Sequence, residues 1–133
     1  FGGNPVSCAA ALAILDVISE EDLLDKGLRI GTQIDTLFRE MTDKNPWDCI
    51  GDIRGLGCMN AIELVSDRES REPAGELAAE IVKIALSKGL LLVTAGPARN
   101  VIRILAPLSS STEIINEGMN ILEASISEAV AQS

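Results

Sequence analysis

The segment from Val6 to Ile18 is apolar on almost every side of the helix that it predicts. Asn4 and Pro5 precede it, and these are typical residues for the cap and the first position of a helix. A helix that is apolar all round has to be covered all round, which a small domain cannot do alone. Residues 1–20 are therefore predicted to form a connector helix between this domain and a second body.

A second helix is predicted after Ser19-Glu20-Glu21-Asp22, which supplies capping and acidic residues at its start. Its apolar residues recur at helical spacing and should form a buried face. They are Leu24, Leu28, Ile34, Leu37, Phe38 and Met41. Asn45-Pro46 is predicted to end this helix, because the residue before a proline avoids the helical conformation.

The rest of the chain predicts two pairs of strands and two more helices. Gly55 and Gly57 allow a tight turn between strands, Gly89 is typical of a helix end, and Ser110-Ser111-Thr112-Glu113 resembles a capping box. The predicted elements are strands at 49–54 and 58–65, a helix at 74–88, strands at 90–94 and 101–105, and a last helix opened by the capping box. The order α-α-β-β-α-β-β-α predicts an α+β fold, with an antiparallel sheet covered by helices.

Composition excludes several classes of function. A net charge of −9 argues against a nucleic-acid-binding or anionic-membrane-binding surface. The chain has no histidine, so Ser-His and Cys-His catalysis lack their base, and no metal site is predicted. No apolar stretch reaches the roughly 20 residues of a membrane span and no signal peptide is visible, which favours a cytoplasmic protein. Cys8, Cys49 and Cys58 fit no zinc or redox spacing and are predicted to be buried free thiols.

Arg103 is the main candidate for a functional residue. It lies inside the apolar run Val101–Leu105, which is typical of a short and mostly buried strand. A guanidinium there cannot lose its charge, so an anion has to meet it. Its planar fork matches a carboxylate or a phosphate with two hydrogen bonds. From the residues alone, a structural salt bridge to an acid of this chain and a ligand-binding role remain alternatives.

Three blocks of the sequence, taken together, resemble a known family. They are Phe1-Gly2-Gly3-Asn4-Pro5, then Asp52-Ile53-Arg54-Gly55-Leu56-Gly57 with Ala61-Ile62-Glu63-Leu64-Val65, then Asn100-Val101-Ile102-Arg103-Ile104-Leu105-Ala106-Pro107-Leu108. In this order and spacing they resemble the C-terminal part of class III aminotransferases, which use pyridoxal phosphate. The segment Met59–Val65 and the Arg103 block look closest to the 4-aminobutyrate branch of that family. The resemblance covers essentially the whole chain.

The resemblance implies a small C-terminal domain at residues 21–133 of a fold-type-I enzyme, joined to its large domain by the connector helix. Because the chain starts at Phe1 rather than at methionine, it is interpreted as a piece of a longer polypeptide. In the family the arginine of the Asn-Val-Ile-Arg block binds the substrate carboxylate, and this role maps onto Arg103. Gly2 and Gly3 map onto a turn beside the cofactor phosphate at a dimer interface, although flexibility ahead of a helix would also explain them.

The resemblance also implies what this chain lacks. In the family, the lysine that forms a Schiff base with the cofactor, the aspartate at the pyridine nitrogen and the ring-stacking aromatic all lie in the large domain. The lysines here are expected to be solvated rather than placed in an apolar pocket, and they are Lys26, Lys44, Lys83 and Lys88. The chain alone is therefore expected to bind no pyridoxal phosphate and to be inactive.

The leading hypothesis is that the parent enzyme moves the amino group of 4-aminobutyrate, or of a similar omega-amino acid, to 2-oxoglutarate. A second hypothesis is another class III aminotransferase, acting on ornithine, acetylornithine or lysine. A third is a non-catalytic α+β domain that serves in self-association. A homodimer or larger assembly is expected, and an exposed helix at Val6–Ile18 should make the chain associate with itself.

Overall fold

A computed structural model of the chain describes residues 1–45 and 47–132. Within these residues the chain forms helices and strands in the predicted order α-α-β-β-α-β-β-α. They are α1 (Pro5–Glu20), α2 (Leu23–Lys44), β1 (Ile50–Leu56), β2 (Met59–Leu64), α3 (Gly75–Ser87), β3 (Val93–Ala95), β4 (Val101–Leu105) and α4 (Thr112–Gln132). Asn45 is the C-cap of α2, while Pro46, which was predicted to end that helix, lies outside the described residues.

The strands form one antiparallel sheet in the order β1-β2-β4-β3. One face of this sheet, here called the inner face, carries Ile62, Leu64 and Ile102, which are almost completely buried. Helices α2, α3 and α4 cover that face with the largest core side chains, among them Ile34, Phe38, Ile81, Leu122 and Ile126. The predicted α+β fold with helices covering an antiparallel sheet is therefore confirmed.

The predicted helix ends are largely confirmed. The side chain of Asn4 accepts a hydrogen bond from the Ser7 backbone N–H at 2.9 Å and so caps α1. Gly89 follows α3 with φ +92°, and the Leu90 N–H donates to the Ala85 carbonyl at 2.9 Å. That pattern is a Schellman motif, which needs a left-handed residue that glycine adopts most readily. At α4 the capping hydroxyl belongs to Ser111, which accepts from Ile114 N–H at 3.4 Å.

The buried face of α2 differs from the prediction in its first half. Leu24 is 73% exposed and Leu28 is 60% exposed, whereas Gly27, Ile30 and Gly31 are buried. A Cβ atom on Gly31 would overlap the carbonyl of Gly57, in the turn between β1 and β2. The helix therefore approaches this turn through backbone rather than through leucine side chains, which is possible only without a Cβ.

Helix α1 has no buried residue and packs against α2 alone among the described elements. Leu12 is 64% exposed and Leu15 is 62% exposed. Glu20 and Glu21 lie at the C-terminal end of α1 rather than at the start of α2 as predicted, and Glu21 pairs with Lys26 at 3.3 Å. Helix α1 thus presents apolar side chains that this domain does not cover.

The three cysteines are free, as predicted, but none of them is fully buried. Cys8 is exposed on α1, while Cys49 and Cys58 are half-buried. Burial raises the pKa of the Cys49 thiol, which makes it a poor nucleophile at neutral pH. The prediction of buried thiols was wrong for Cys8 because α1 has no cover in this structure.

Candidate functional site

Arg103 lies on the face of the sheet opposite to the helices, here called the outer face. Residues opposed in an antiparallel sheet point to the same side, and the register sets Arg54, Ala61, Arg103 and Val93 side by side across the strands. Arg103 is exposed and its neighbour Ile102 is fully buried. The predicted strand is confirmed, but the predicted burial of Arg103 was wrong, because only the inner face is covered.

The guanidinium of Arg103 takes part in none of the ion pairs formed between described residues. No side-chain hydrogen bond within the described ranges uses it as a donor either. The alternative of a structural salt bridge within the chain therefore has no partner in the described residues. The guanidinium of Arg103 is therefore open on the outer face, where it can donate two hydrogen bonds to a carboxylate of another molecule.

Arg54 on the same face behaves differently. Its Nη1 donates to Asp52 Oδ2 at 2.9 Å and to Glu63 Oε2 at 2.7 Å. The hydrogen bond to Asp52 has the larger effect and that to Glu63 the next, and both raise the pKa of the Arg54 guanidinium. Arg54 therefore forms local salt bridges, and of the two arginines flanking Ala61 only Arg103 has no ion pair among the described contacts.

Asn100 fixes the start of β4, three residues before Arg103. Its side chain is buried, and its Nδ2 donates to the Leu64 carbonyl at 2.8 Å. The Leu64 N–H donates in return to the Asn100 carbonyl at 2.8 Å. Asn100 belongs to the third of the sequence blocks described above, but its side-chain hydrogen bond to Leu64 was not predicted. A buried polar residue directly before an apolar strand was the available signal.

A cavity of about 290 Å³ opens beside Arg103. It lies at the end of the β3–β4 pairing, which runs from Val101 to Arg103 on β4. The walls are mainly apolar and include Leu90, Leu92, Ile104, Ile114 and Met119. Arg103 also lines this cavity, together with residues of the buried core such as Met119.

The four lysines of the chain all pair with acidic side chains. Each of the four forms an ion pair at the surface: Lys26–Glu21, Lys44–Glu123, Lys83–Glu80 and Lys88–Glu128. None of them lines the apolar cavity beside Arg103. The prediction that the lysines lie at the surface, outside an apolar pocket, is confirmed.

Gly2 and Gly3 form an exposed turn before α1, and Gly3 has φ +79°. A Cβ on either glycine would meet no atom within 4 Å, so the turn is open and does not touch Arg103.

Among the described residues, no cluster of histidine, cysteine or acidic side chains has the arrangement of a metal site. None of the helices in the described ranges combines the length and apolar character needed to cross a membrane.

A family model for class III aminotransferases matches residues 1–126 of the chain. A probable 4-aminobutyrate aminotransferase of Bacillus subtilis is 48% identical over 126 residues, which is 95% of this chain and 28% of the relative. The 4-aminobutyrate aminotransferase of Escherichia coli is 42% identical over 97% of this chain and 30% of its own length. A 5-aminovalerate aminotransferase of Pseudomonas putida is 38% identical over 96% of this chain and 29% of that relative.

The fold is similar to solved structures of the same class. An aminotransferase of Bacillus anthracis superposes with a TM-score of 0.88 at 31% identity, covering 96% of this chain and 29% of that protein. The chain therefore spans less than a third of the length of these relatives, and its match to them runs almost from end to end.

Proposed function

This chain belongs to the class III aminotransferase family, and we propose that it supplies the substrate-carboxylate site of a transaminase that depends on pyridoxal phosphate. The observation that carries the proposal is the open guanidinium of Arg103 on the outer face, beside an apolar cavity. Amino-group transfer requires the substrate to be held in one orientation toward the cofactor. A two-pronged arginine–carboxylate contact fixes that orientation, whereas a lysine would supply charge without the geometry.

The substrate that we propose is 4-aminobutyrate or a similar omega-amino acid, with 2-oxoglutarate as the acceptor. Two of the relatives described above are named for 4-aminobutyrate, one of them as a probable enzyme, and a third is named for 5-aminovalerate. All these molecules carry a carboxylate on a short aliphatic chain, so Arg103 serves the donor and the acceptor in alternate half-reactions. Ornithine, acetylornithine or lysine as donor is the alternative, since the residues that read the distal amino end are not identified in this chain.

Class III aminotransferases are pyridoxal-phosphate enzymes, and that cofactor supplies the electron sink for amino-group transfer when it is bound. We propose that Gly2 and Gly3 approach its phosphate, which their missing side chains and the open turn support. The surface pairing of all four lysines supports placing the lysine that holds the cofactor outside this chain. On this proposal the chain alone binds no cofactor and is inactive.

The domain division remains part of the proposal, with a connector at residues 1–20 and a small domain at 21–133. Its support is α1, which among the described elements packs only on α2 and buries none of its residues. Assembly as a homodimer or larger oligomer and a cytoplasmic location stay predictions. The residues of this chain contribute one wall of a cleft, and the cofactor-holding lysine would complete it from elsewhere.

Self-association of the isolated chain is expected because α1 exposes a continuous apolar surface. Analytical ultracentrifugation should show the mass rising with concentration, and the double substitution of Leu12→Glu and Leu15→Glu should return the chain to a monomer. Leu86→Glu on α3 is the matched control, since Leu86 is also exposed, at 57%. A wild-type chain that stays monomeric at millimolar concentration would contradict this expectation.

The function is tested in the full-length polypeptide that carries this chain, supplied with pyridoxal phosphate. With 4-aminobutyrate and 2-oxoglutarate, we expect glutamate to form, measured by mass spectrometry with a ¹⁵N-labelled donor. Ornithine and acetylornithine serve as competing donors in the same assay. Faster transfer from ornithine would support the alternative donor class, and no transfer from any amino acid would overturn the proposed activity.

A further inference from the structure

Glu63 lies close to Arg103 on the outer face, although it does not pair with it. In the β2–β4 ladder Arg103 is opposite Ala61 and Glu63 is opposite Val101, so Glu63 and Arg103 are diagonal neighbours on one face. Diagonal positions in a sheet are about 7–8 Å apart, which long side chains bridge. The side chain of Ala61 is too short to separate Glu63 from Arg103, and Val101 has no polar group that could pair with Glu63. A competitor for the substrate carboxylate is therefore within reach of Arg103.

Glu63 is held away from Arg103 by Arg54 on the other flank of β2. Arg54 bonds Glu63 Oε2 at 2.7 Å and Asp52 Oδ2 at 2.9 Å through the same Nη1 atom. Asp52 is directly opposite Glu63 in the β1–β2 ladder, and like charges in that position repel. Without Arg54 this repulsion would favour a turn of the Glu63 carboxylate toward Arg103, its diagonal neighbour on the same face.

We propose that Arg54 is a positioning residue that keeps Glu63 off Arg103, so that the guanidinium of Arg103 stays open for the carboxylate of the substrate. This inference rests on the proposed role of Arg103. In this scheme Arg54 acts through Asp52 and Glu63, to which its Nη1 donates, and not through the substrate. Its contribution is to substrate affinity, while the chemical step itself is unaffected.

A purely structural role for Arg54, neutralising two facing carboxylates, makes a different prediction. A structural role would lower stability and leave affinity unchanged, whereas the proposed role raises KM because Glu63 competes with substrate. The side chains of Arg54 and Glu63 are 47% and 33% exposed, so the competing pair would be of moderate strength. From the usual worth of partly exposed ion pairs, we expect the Arg54→Met variant to raise KM for 2-oxoglutarate roughly 2- to 5-fold.

The test measures KM and kcat for 2-oxoglutarate in the full-length polypeptide. Arg54→Met should raise KM with little change in kcat, and the double variant with Glu63→Gln should restore KM, because an amide does not compete for a cation. Arg54→Lys, which keeps the charge and is the milder change for folding, should raise KM less and should also be rescued by Glu63→Gln. Lys83→Met, which breaks the exposed Lys83–Glu80 pair on α3, is the control for net charge and should leave KM unchanged.

An unchanged KM in Arg54→Met and Arg54→Lys would overturn the proposal, as would a raised KM that Glu63→Gln fails to restore. If Arg54→Met does not fold, the Arg54→Lys pair of variants decides on the same criteria. Arg103→Met separates this inference from the proposed function. If Arg103→Met leaves KM unchanged, the carboxylate anchor itself is wrong; if it raises KM while the Arg54 variants do not, only the positioning role fails.

Discussion

Replacing Gly31 by alanine should destabilise the fold by roughly 2–3 kcal/mol, even though alanine is the better helix former. A Cβ at this position overlaps the carbonyl of Gly57. That carbonyl has little room to retreat, because it accepts a hydrogen bond from Asn60 Nδ2 at 3.2 Å and Gly57 has φ +55° in a tight turn. Urea denaturation of the chain would measure the change in the free energy of unfolding.

Gly118→Ala in α4 is the matched control for Gly31→Ala. At Gly118 an added Cβ would lie 3.5 Å from Leu90 Cδ1, which is an ordinary van der Waals contact. The same substitution should therefore stabilise the fold by about 0.5–1 kcal/mol through helix propensity and a less flexible unfolded chain. Equal effects at the two glycines, or a more stable Gly31→Ala variant, would show that the backbone of the Gly57 turn moves away freely.

The order of the elements was predictable from the sequence because its signals are local. Asn4 caps α1 and Gly89 ends α3 through interactions with residues only a few positions away. The glycines around Gly57 likewise predicted the hairpin, although the turn itself consists of Gly57 and Cys58, and Gly55 lies within β1. Such short-range chemistry is readable without knowledge of the tertiary structure.

The buried face of α2 was predictable only in its second half. Ile34, Phe38 and Met41 are buried in the hydrophobic core through their side chains, so apolar periodicity identifies them. Gly27 and Gly31 are buried by contacts with Leu108 and Gly57, which are distant in sequence. Hydrophobic periodicity detects apolar side chains and cannot detect packing of the backbone. It therefore predicted that Leu24 and Leu28, rather than the two glycines, would be buried.

The environment of Arg103 illustrates the same limit at the candidate site. The run Val101–Leu105 is apolar enough for a strand buried on both faces, yet Leu105 is 61% exposed. The apolar side chains of this strand that lie on the outer face therefore do not belong to the hydrophobic core of this domain. The sequence identified Arg103 as a candidate through the Asn-Val-Ile-Arg block, but the open guanidinium and its neighbour Glu63 depend on register across three strands.

Replacing Arg103 by methionine in the full-length polypeptide should lower kcat/KM for 4-aminobutyrate and 2-oxoglutarate by several hundred-fold. Two charge-assisted hydrogen bonds to a carboxylate are together worth about 3–4 kcal/mol, and each 1.36 kcal/mol is a tenfold change in rate. Arg103→Lys keeps the charge but loses the two-pronged geometry, so its loss should be smaller, at roughly 10-fold or more. Steady-state kinetics with both substrates measures these changes.

The stability of the Arg103→Met variant distinguishes an anchor for substrate from a structural cation. Arg103 forms no ion pair with a described residue, so its removal should change the free energy of unfolding by no more than about 0.5 kcal/mol. Arg39→Met, which breaks an exposed pair with Asp35 in α2, should leave the kinetics unchanged. In a single-turnover first half-reaction without 2-oxoglutarate, an amine donor that has no carboxylate, such as butylamine, should react equally in wild type and Arg103→Met, because the lost contact requires a carboxylate. If activity toward butylamine falls as far as activity toward 4-aminobutyrate, Arg103 acts on the fold or the cofactor rather than on the substrate carboxylate.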